Sequence, residues 1–298
     1  MYQKPDQALI DYGSYKWGRL DQLYRGPRPD LSAPYIACLG GAQTFGRYVR
    51  SPFPALLESS MARPVANFGT ANAGPGFFLR DAAVIEAASG ADLCVAQVMS
   101  ARSLSNRLFK VHVSRNAQIE AVSKALEELF PHVDFETFNY AHNMLNQIAD
   151  NDPESFLAVE AEMKAAWVAR TRSLLQSIQT RRILFWFSER GPDEAPLVAT
   201  DQPELKYPQF VDQQMIDAVA PLADAVIYCV TSAGMPQSLL RDGEAVLQTP
   251  FGMPVSENRY YPSPEMHVEA AKTLLPAIRA LLASSETPVA FRGDAISI

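Results

Sequence analysis

Cysteine and histidine are scarce in this chain of 298 residues, with 3 and 4 copies. Cys38, Cys94 and Cys229 each sit inside an apolar run, "YIACL", "DLCVAQV" and "AVIYCVT", the setting of buried unpaired thiols in core strands. No CxxC pair or Cys/His spacing occurs, so neither a disulfide framework nor a metal centre is expected, and no cofactor is implied. Cations are also in deficit: Lys+Arg 26 against Asp+Glu 33 gives a net charge of -7. That balance argues against general nucleic-acid binding, because phosphate contacts need an excess of positive charge. No apolar run approaches the ~18–20 residues of a membrane span. The opening "MYQKPDQALIDYGSYKWG" lacks a cationic stretch followed by an apolar core, so it does not read as a secretory signal. The expectation is a cytoplasmic protein with neither membrane nor nucleic-acid partner, its oligomeric state left open.

The length suffices for one large domain or two small ones at ~100–200 residues each. Residues 1–33 read as an N-terminal arm: they end in "RGPRPDLSAP", whose prolines and glycine preclude regular structure, and Tyr15, Trp17 and Tyr24 can lay the arm over the rest. Five continuously apolar runs follow: "PYIACLG" (34–40), "PVANFG" (64–69), "DLCVAQVM" (92–99), "RILFWFS" (182–188) and "DAVIYCVT" (224–231). Runs without alternation fit strands covered on both faces. Helical spacing separates them in "FPALLESSM", "FFLRDAAVIEAASG", "PESFLAVEAEMKAAWVARTRSLLQSIQ" and "FVDQQMIDAVAPL". A last helix is expected in "PSPEMHVEAAKTLLPAIRALLASS", with Ser263 as N-cap and Pro264 as first residue. This alternation predicts an α/β fold, a flavodoxin-like doubly wound sheet of about five parallel strands over residues 34–298, with residues 104–180 as a helical insertion or lid after strand three.

The loop after the first strand, "LGGAQTFG" (39–46), admits two readings. Gly41 to Tyr48 matches a phosphate loop only loosely, with Arg47 where a lysine and Tyr48 where a Ser/Thr would stand. Pro52 and Pro54 follow within a few residues, so a long helix does not open from the loop to face an anion, and a helix start near Phe53 is expected instead. The other reading is that the loop resembles the first block of the SGNH, or GDSL, hydrolases, a strand followed by GDSxTxG. Gly40, Thr44 and Gly46 match, while Gly41 stands at the aspartate position and Ala42 at the nucleophilic serine. "PVANFGTANAGPGFFLRD" resembles the second block through Asn67, Gly69 and Gly74, with Asn72 in place of an oxyanion-hole glycine. "MSARSLSNR" occupies the third, with Arg102 or Ser103 at its asparagine and Asn106 a few residues late.

The family's final block, DxxHP, carries acid and base before the last helix. In "NRYYPSPEMHVEAAKTL" one register puts Asn258 at the acid and Tyr261 at the base; another makes His267 the base. On the first register the resemblance implies an SGNH-like protein whose serine, aspartate and histidine are all replaced. Nucleophile activation needs a base in hydrogen-bond reach and a group orienting it, so ordinary serine-ester hydrolysis is not expected. Loops after parallel strands converge on one sheet edge, and the residues expected to bind a polar, anionic or carbohydrate-derived small molecule there are Gly41, Gln43, Thr44, Asn72, Ser103, Asn106 and Arg107. Ser188, Glu189 and Arg190 join that edge from strand four. "RSLSNRLFKVHVSR" (102–115) holds four Lys/Arg residues and no acid, and reads either as an anion-binding mouth of the pocket or as a solvated face paired with acidic neighbours. Two other functions stay open: an esterase or acyltransferase using Thr44 or Ser100 with His267, and a sulfo- or phosphotransferase using residues 41–47 as an anion loop.

Overall fold

The computed structural model describes residues 6–20, 22–102, 104–112, 118–194, 207–249 and 251–284. Its centre is a sheet of five strands, β1 (Ile36–Gly40), β2 (Val65–Gly69), β3 (Leu93–Gln97), β4 (Arg181–Ser188) and β5 (Ala225–Val230). All neighbours pair in parallel, in the order β2-β1-β3-β4-β5. This is the doubly wound α/β sheet expected from the five apolar runs. Those runs do not alternate because both faces are covered. Ile36 and Cys38 of β1 face one layer, and Ala37 and Leu39 the other.

The helices are α1 (Ala42–Phe45), α2 (Phe53–Met61), α3 (Pro75–Phe78), α4 (Ala82–Ser89), α5 (Lys124–Leu129), α6 (Ala141–Asn151), α7 (Pro153–Ser177), α8 (Gln213–Val219) and α9 (Pro264–Ala283). Helices α2 and α9 cover one face through Phe53, Leu57, Met266, Leu274 and Ile278. Helices α4, α7 and α8 cover the other through Val84, Leu174, Trp167 and Ile216. Ser263 caps α9 as expected, accepting from the Met266 N–H at 3.1 Å.

Two elements differ from the sequence reading. The single helix expected across "FFLRDAAVIEAASG" is two, because Asp81 turns to cap α4 at Ala83 N–H (3.2 Å) and also takes the N–H groups of Arg19 and Leu20. An Asp favours such a cap over a helix interior. A single helical turn, α1, also precedes α2, stopped by Gly46 in the left-handed region (φ 74).

Between β3 and β4 lie a hairpin (Phe109–Val111 with Ile119–Val122), α5, α6 and the crossover helix α7. Trp167 of α7 donates its indole N–H to Met99 O at 2.6 Å, holding the chain just after β3. After β5 the chain makes an excursion of three short antiparallel ladders before returning to α9: 237–238 with 257–258, 240–241 with 244–245, and 247–248 with 254–255. In the N-terminal segment Tyr24 and Trp17 pack edge-on against Phe68 of β2, with ring centroids 5.4 and 5.8 Å away. Among the described residues no helix is long and apolar enough to cross a membrane, and the three cysteines are buried and free.

Candidate functional site

Loops after the five strands meet over their C-terminal ends, where the chain leaves β1 and β3 in opposite directions and opens a crevice. The crevice is a cavity of about 600 Å³. Gly41, Ala42 and Gln43 form its side nearest β1, Asn72 and Ala73 come from the β2 loop, Ser100 and Arg102 from the β3 loop, and Tyr207 and Gln209 from the β4 loop. The excursion after β5 supplies Thr249, Val255, Glu257, Asn258, Tyr260 and Tyr261, and Tyr140 and His142 at the start of α6 complete the rim. Two of the lining residues, Tyr48 (φ 65) and Asn72 (φ 54), hold left-handed backbone. For a bulky aromatic that is an outlier, and such strain persists where the surroundings over-determine it.

Gln97, at the end of β3, organises the floor. Its Oε1 accepts the Gly41 N–H at 3.0 Å and the Thr44 hydroxyl at 2.7 Å, while its Nε2 donates to the Tyr207 hydroxyl at 3.1 Å. Burial pushes the Tyr207 phenol up, so it stays protonated and donates to Val98 O at 3.2 Å. Gln43 is buried beside it, and its Oε1 has no hydrogen-bond partner. A buried unpaired acceptor costs roughly 1–3 kcal/mol, a cost that a ligand donor would remove. Asn67 ties β2 to α1 by donating to Thr44 O at 2.9 Å, and Gly69 must lack a side chain because Thr44 and Phe45 backbone atoms occupy the place of its Cβ.

Ala42, Asn258 and Tyr261 surround the same cavity. Ala42 offers no nucleophile. The Asn258 side chain is spent on its own turn: Oδ1 accepts from Tyr260 N–H and Tyr261 N–H (3.0 and 2.9 Å), and Nδ2 donates to Tyr261 O and Gln237 Oε1 (2.7 and 2.9 Å). The Tyr261 hydroxyl accepts from Arg47 Nη1 at 3.0 Å, with the guanidinium 5.0 Å above its ring. Arg47 is in turn held by buried Asp6, at 2.8 and 3.1 Å. Burial opposes the Arg47 charge, but the Asp6 hydrogen bond and the nearby Tyr261 and Tyr48 outweigh it and keep the guanidinium charged.

Two buried arginines fasten the loops. Arg25 donates to the carbonyls of Phe45, Gly46, Val49 and Arg50 at 2.8–3.3 Å, and burial pulls its guanidinium down to about 10. It thereby joins the N-terminal segment to the β1 loop. Arg190 donates to Pro208 O and Val211 O, both at 2.6 Å, and fixes the segment that carries Tyr207 and Gln209.

The family described as "Domain of unknown function (DUF6473)" matches residues 1–282. The chain belongs to that family. A comparison with curated proteins finds no match. Among solved structures the DUF6473 chain is similar to a carbohydrate esterase family 2 enzyme from Corynascus thermopiles (Myceliophthora fergusii), at 12% identity over 87% of this chain and 68% of that one, TM-score 0.40. It is similar also to Axe2, an acetylxylan esterase from Geobacillus stearothermophilus, at 14% identity over 83% of this chain and 94% of that one, TM-score 0.40. A third is a putative lipolytic protein of the G-D-S-L family from Desulfitobacterium hafniense DCB-2, at 13% identity over 82% and 99%, TM-score 0.36.

Of the binding residues expected from sequence, the DUF6473 chain brings Gly41, Gln43 and Asn72 together on the cavity. Thr44 lies beneath it, fully buried, with its hydroxyl on Gln97. Ser103 lies outside the described residues. Asn106 and Arg107 stand on a different hollow: Asn106 caps the N–H groups of Leu108 and Phe109 (2.8 and 3.0 Å), and Arg107 grips Glu162. The basic stretch 102–115 therefore sends Arg102 to the cavity and turns Arg107 and Lys110 away, because the backbone folds into the 109–111 strand. Ser188 and Arg190 secure the β4 loop by accepting from Arg190 N–H (3.0 Å) and binding carbonyls.

Of the groups of the relocated-nucleophile reading, Ser100 lines the crevice while Thr44 and His267 do not, and all three are engaged in other hydrogen bonds. Thr44 is committed to Gln97, the Ser100 hydroxyl donates to Gln209 O at 3.3 Å, and His267 is fully buried in α9, its Nδ1 accepting the Phe53 N–H at 3.1 Å. Tyr207, Gln209, Gln97 and Asp6 had no sequence signal. They reach the site from a loop, a strand end and the N-terminal segment without any motif spacing.

Proposed function

We propose that this DUF6473 domain is an SGNH-hydrolase-like protein that has exchanged serine catalysis for binding, and that its crevice takes a polar, anionic or carbohydrate-derived small molecule intact. The observation that carries this reading is the company around Ala42: a methyl group where a nucleophile would stand, with Asn258 and Tyr261 on the same cavity and both committed to structural hydrogen bonds. What the cavity offers suits recognition. Tyr48, Tyr140, Tyr207, Tyr260 and Tyr261 present aromatic rings and hydroxyls, Gln43 an unsatisfied acceptor, and Arg102 a positive charge. An anion loop at residues 41–47 has less support, since the Gly41 N–H is taken by Gln97 and the Arg47 charge is shared with Asp6.

The test is a thermal-shift and calorimetric panel of neutral sugars, sugar acids and small organic anions on the full chain, run beside p-nitrophenyl acetate turnover. The expected result is saturable binding by at least one class without ester turnover, weakened about tenfold or more in Gln43→Leu, the ~1.4 kcal/mol of one lost hydrogen bond to a buried acceptor. Ester turnover abolished by a cavity substitution would overturn the reading.

A further inference from the structure

At the floor of the crevice Gly41 leaves two oxygens uncovered. A Cβ on this glycine would stand 2.9 Å from Gln43 Oε1 and 3.1 Å from Tyr207 Oη, so both oxygens look across its bare side, and all three residues line the crevice. Gln43 is only 5% exposed, and its Oε1 has no hydrogen-bond partner. Buried polar atoms are nearly always paired within a fold. An acceptor left open beside a cavity therefore calls for a donor from outside the chain.

The neighbouring groups supply no such donor and do not favour an anion. Gln97 Oε1 takes the Gly41 N–H at 3.0 Å and the Thr44 hydroxyl at 2.7 Å, which fixes the carboxamide and turns its Nε2 toward Tyr207 Oη at 3.1 Å. Tyr207 spends its own proton on Val98 O at 3.2 Å. The Gly41 N–H, a donor suited to an oxyanion, is thus consumed, and a carboxylate set against this side of Gly41 would meet two oxygens with no spare proton. An ammonium there would need a carboxylate to offset its desolvation. Glu257, the one carboxylate among the described lining residues, is held by Arg259 at 2.6 Å. A neutral hydroxyl donates without burying a charge.

We propose that the crevice takes a neutral polyol, anchored by one hydroxyl that donates to Gln43 Oε1 beside Gly41, and that this point rejects a carboxylate. The assignment rests on the crevice being a binding site and selects among its ligand classes. The test is isothermal titration of the full chain with methyl β-D-glucopyranoside and with myo-inositol, against succinate, a dicarboxylate without hydroxyls. At least one polyol is expected to bind saturably, and succinate is not. Affinity for that polyol should fall about tenfold or more in Gln43→Leu, which removes the acceptor, and also in Gly41→Ala, whose methyl would stand between the two oxygens. Binding should be retained in Gln43→Glu, where a carboxylate oxygen still accepts from a hydroxyl. Gly41 has φ -83, which alanine adopts freely, and an unchanged melting temperature without ligand verifies that each variant folds. Binding of neither polyol, full binding by Gly41→Ala, or a loss in Gln43→Glu equal to that in Gln43→Leu would overturn the proposal. Saturable succinate binding that depends on Gln43 would overturn it while leaving the crevice a binding site. Failure of this contact is thus told apart from ester turnover, which tests the loss of catalysis.

Discussion

His267 shows how one side chain can look catalytic in a sequence and be structural in the fold. It lies one turn into α9, between Phe53 and Phe187, and its Nδ1 satisfies the first N–H of α2, so the ring must carry its proton on Nε2, which has no partner. Burial, aided by the Arg25 charge, lowers its pKa to about 3. The unfolded chain takes up this proton near pH ~6.5 and the folded one does not, so stability holds above that pH and falls below it by roughly 1.4 kcal/mol per unit until about 3. Urea unfolding at pH 6.5 and pH 5 should differ by about 2 kcal/mol from this group, and His267→Phe should remove that part of the slope while losing the α2 cap. An unaltered slope in the variant would refute the assignment. Asn258 gives the complementary case. Asn258→Asp restores the acid expected in an SGNH block but forfeits two donated hydrogen bonds, to Tyr261 O and Gln237 Oε1. A loss of about 1–3 kcal/mol is expected in chemical denaturation, with no gain of esterase activity even when combined with Ala42→Ser. The final block admits two registers in sequence, with Tyr261 or His267 at the base position, and the first is favoured because the second puts Pro264 at the acid position; in the fold Tyr261 lines the crevice and His267 is buried away from it.

At the scale of elements, the strands were the most legible part. Five apolar runs became five parallel strands with ends within two residues, because burial on both faces leaves an unambiguous composition. Helix breaks were less legible, since the turn at Asp81 depends on N–H groups of Arg19 and Leu20 some sixty residues away. The ladders between residues 237 and 258 were invisible because each is only two residues long, too short for any alternation to register. The joint between the N-terminal segment and the β1 loop is the element-scale feature with the largest consequence. Four carbonyls depend on Arg25, so Arg25→Met should cost roughly 3 kcal/mol or more and expose the segment before residue 34 to limited proteolysis. Retention of both the urea midpoint and protease resistance would contradict that role.

For the whole molecule, the crevice is a product of topology: all five strand loops contribute to it, and no stretch of sequence contains more than a part. Residues near glycine-rich blocks, such as Gly41, Gln43 and Asn72, could be placed from sequence because they follow a strand directly. Asn106 and Arg107 could not, because a turn a few residues past β3 decides which side of the fold they serve. Tyr207 and Asp6 enter from places no local pattern marks. The crevice is proposed to hold a ligand without cleaving it by serine chemistry. Native mass spectrometry of the full chain, incubated with acetylated oligosaccharides and with sugar acids, reads both halves of the claim at once. A complex at the mass of an intact ligand is expected, diminished in Gln43→Leu, with the protein itself unmodified. A deacetylated product formed faster than in buffer, or an acyl group left on the protein, would contradict it.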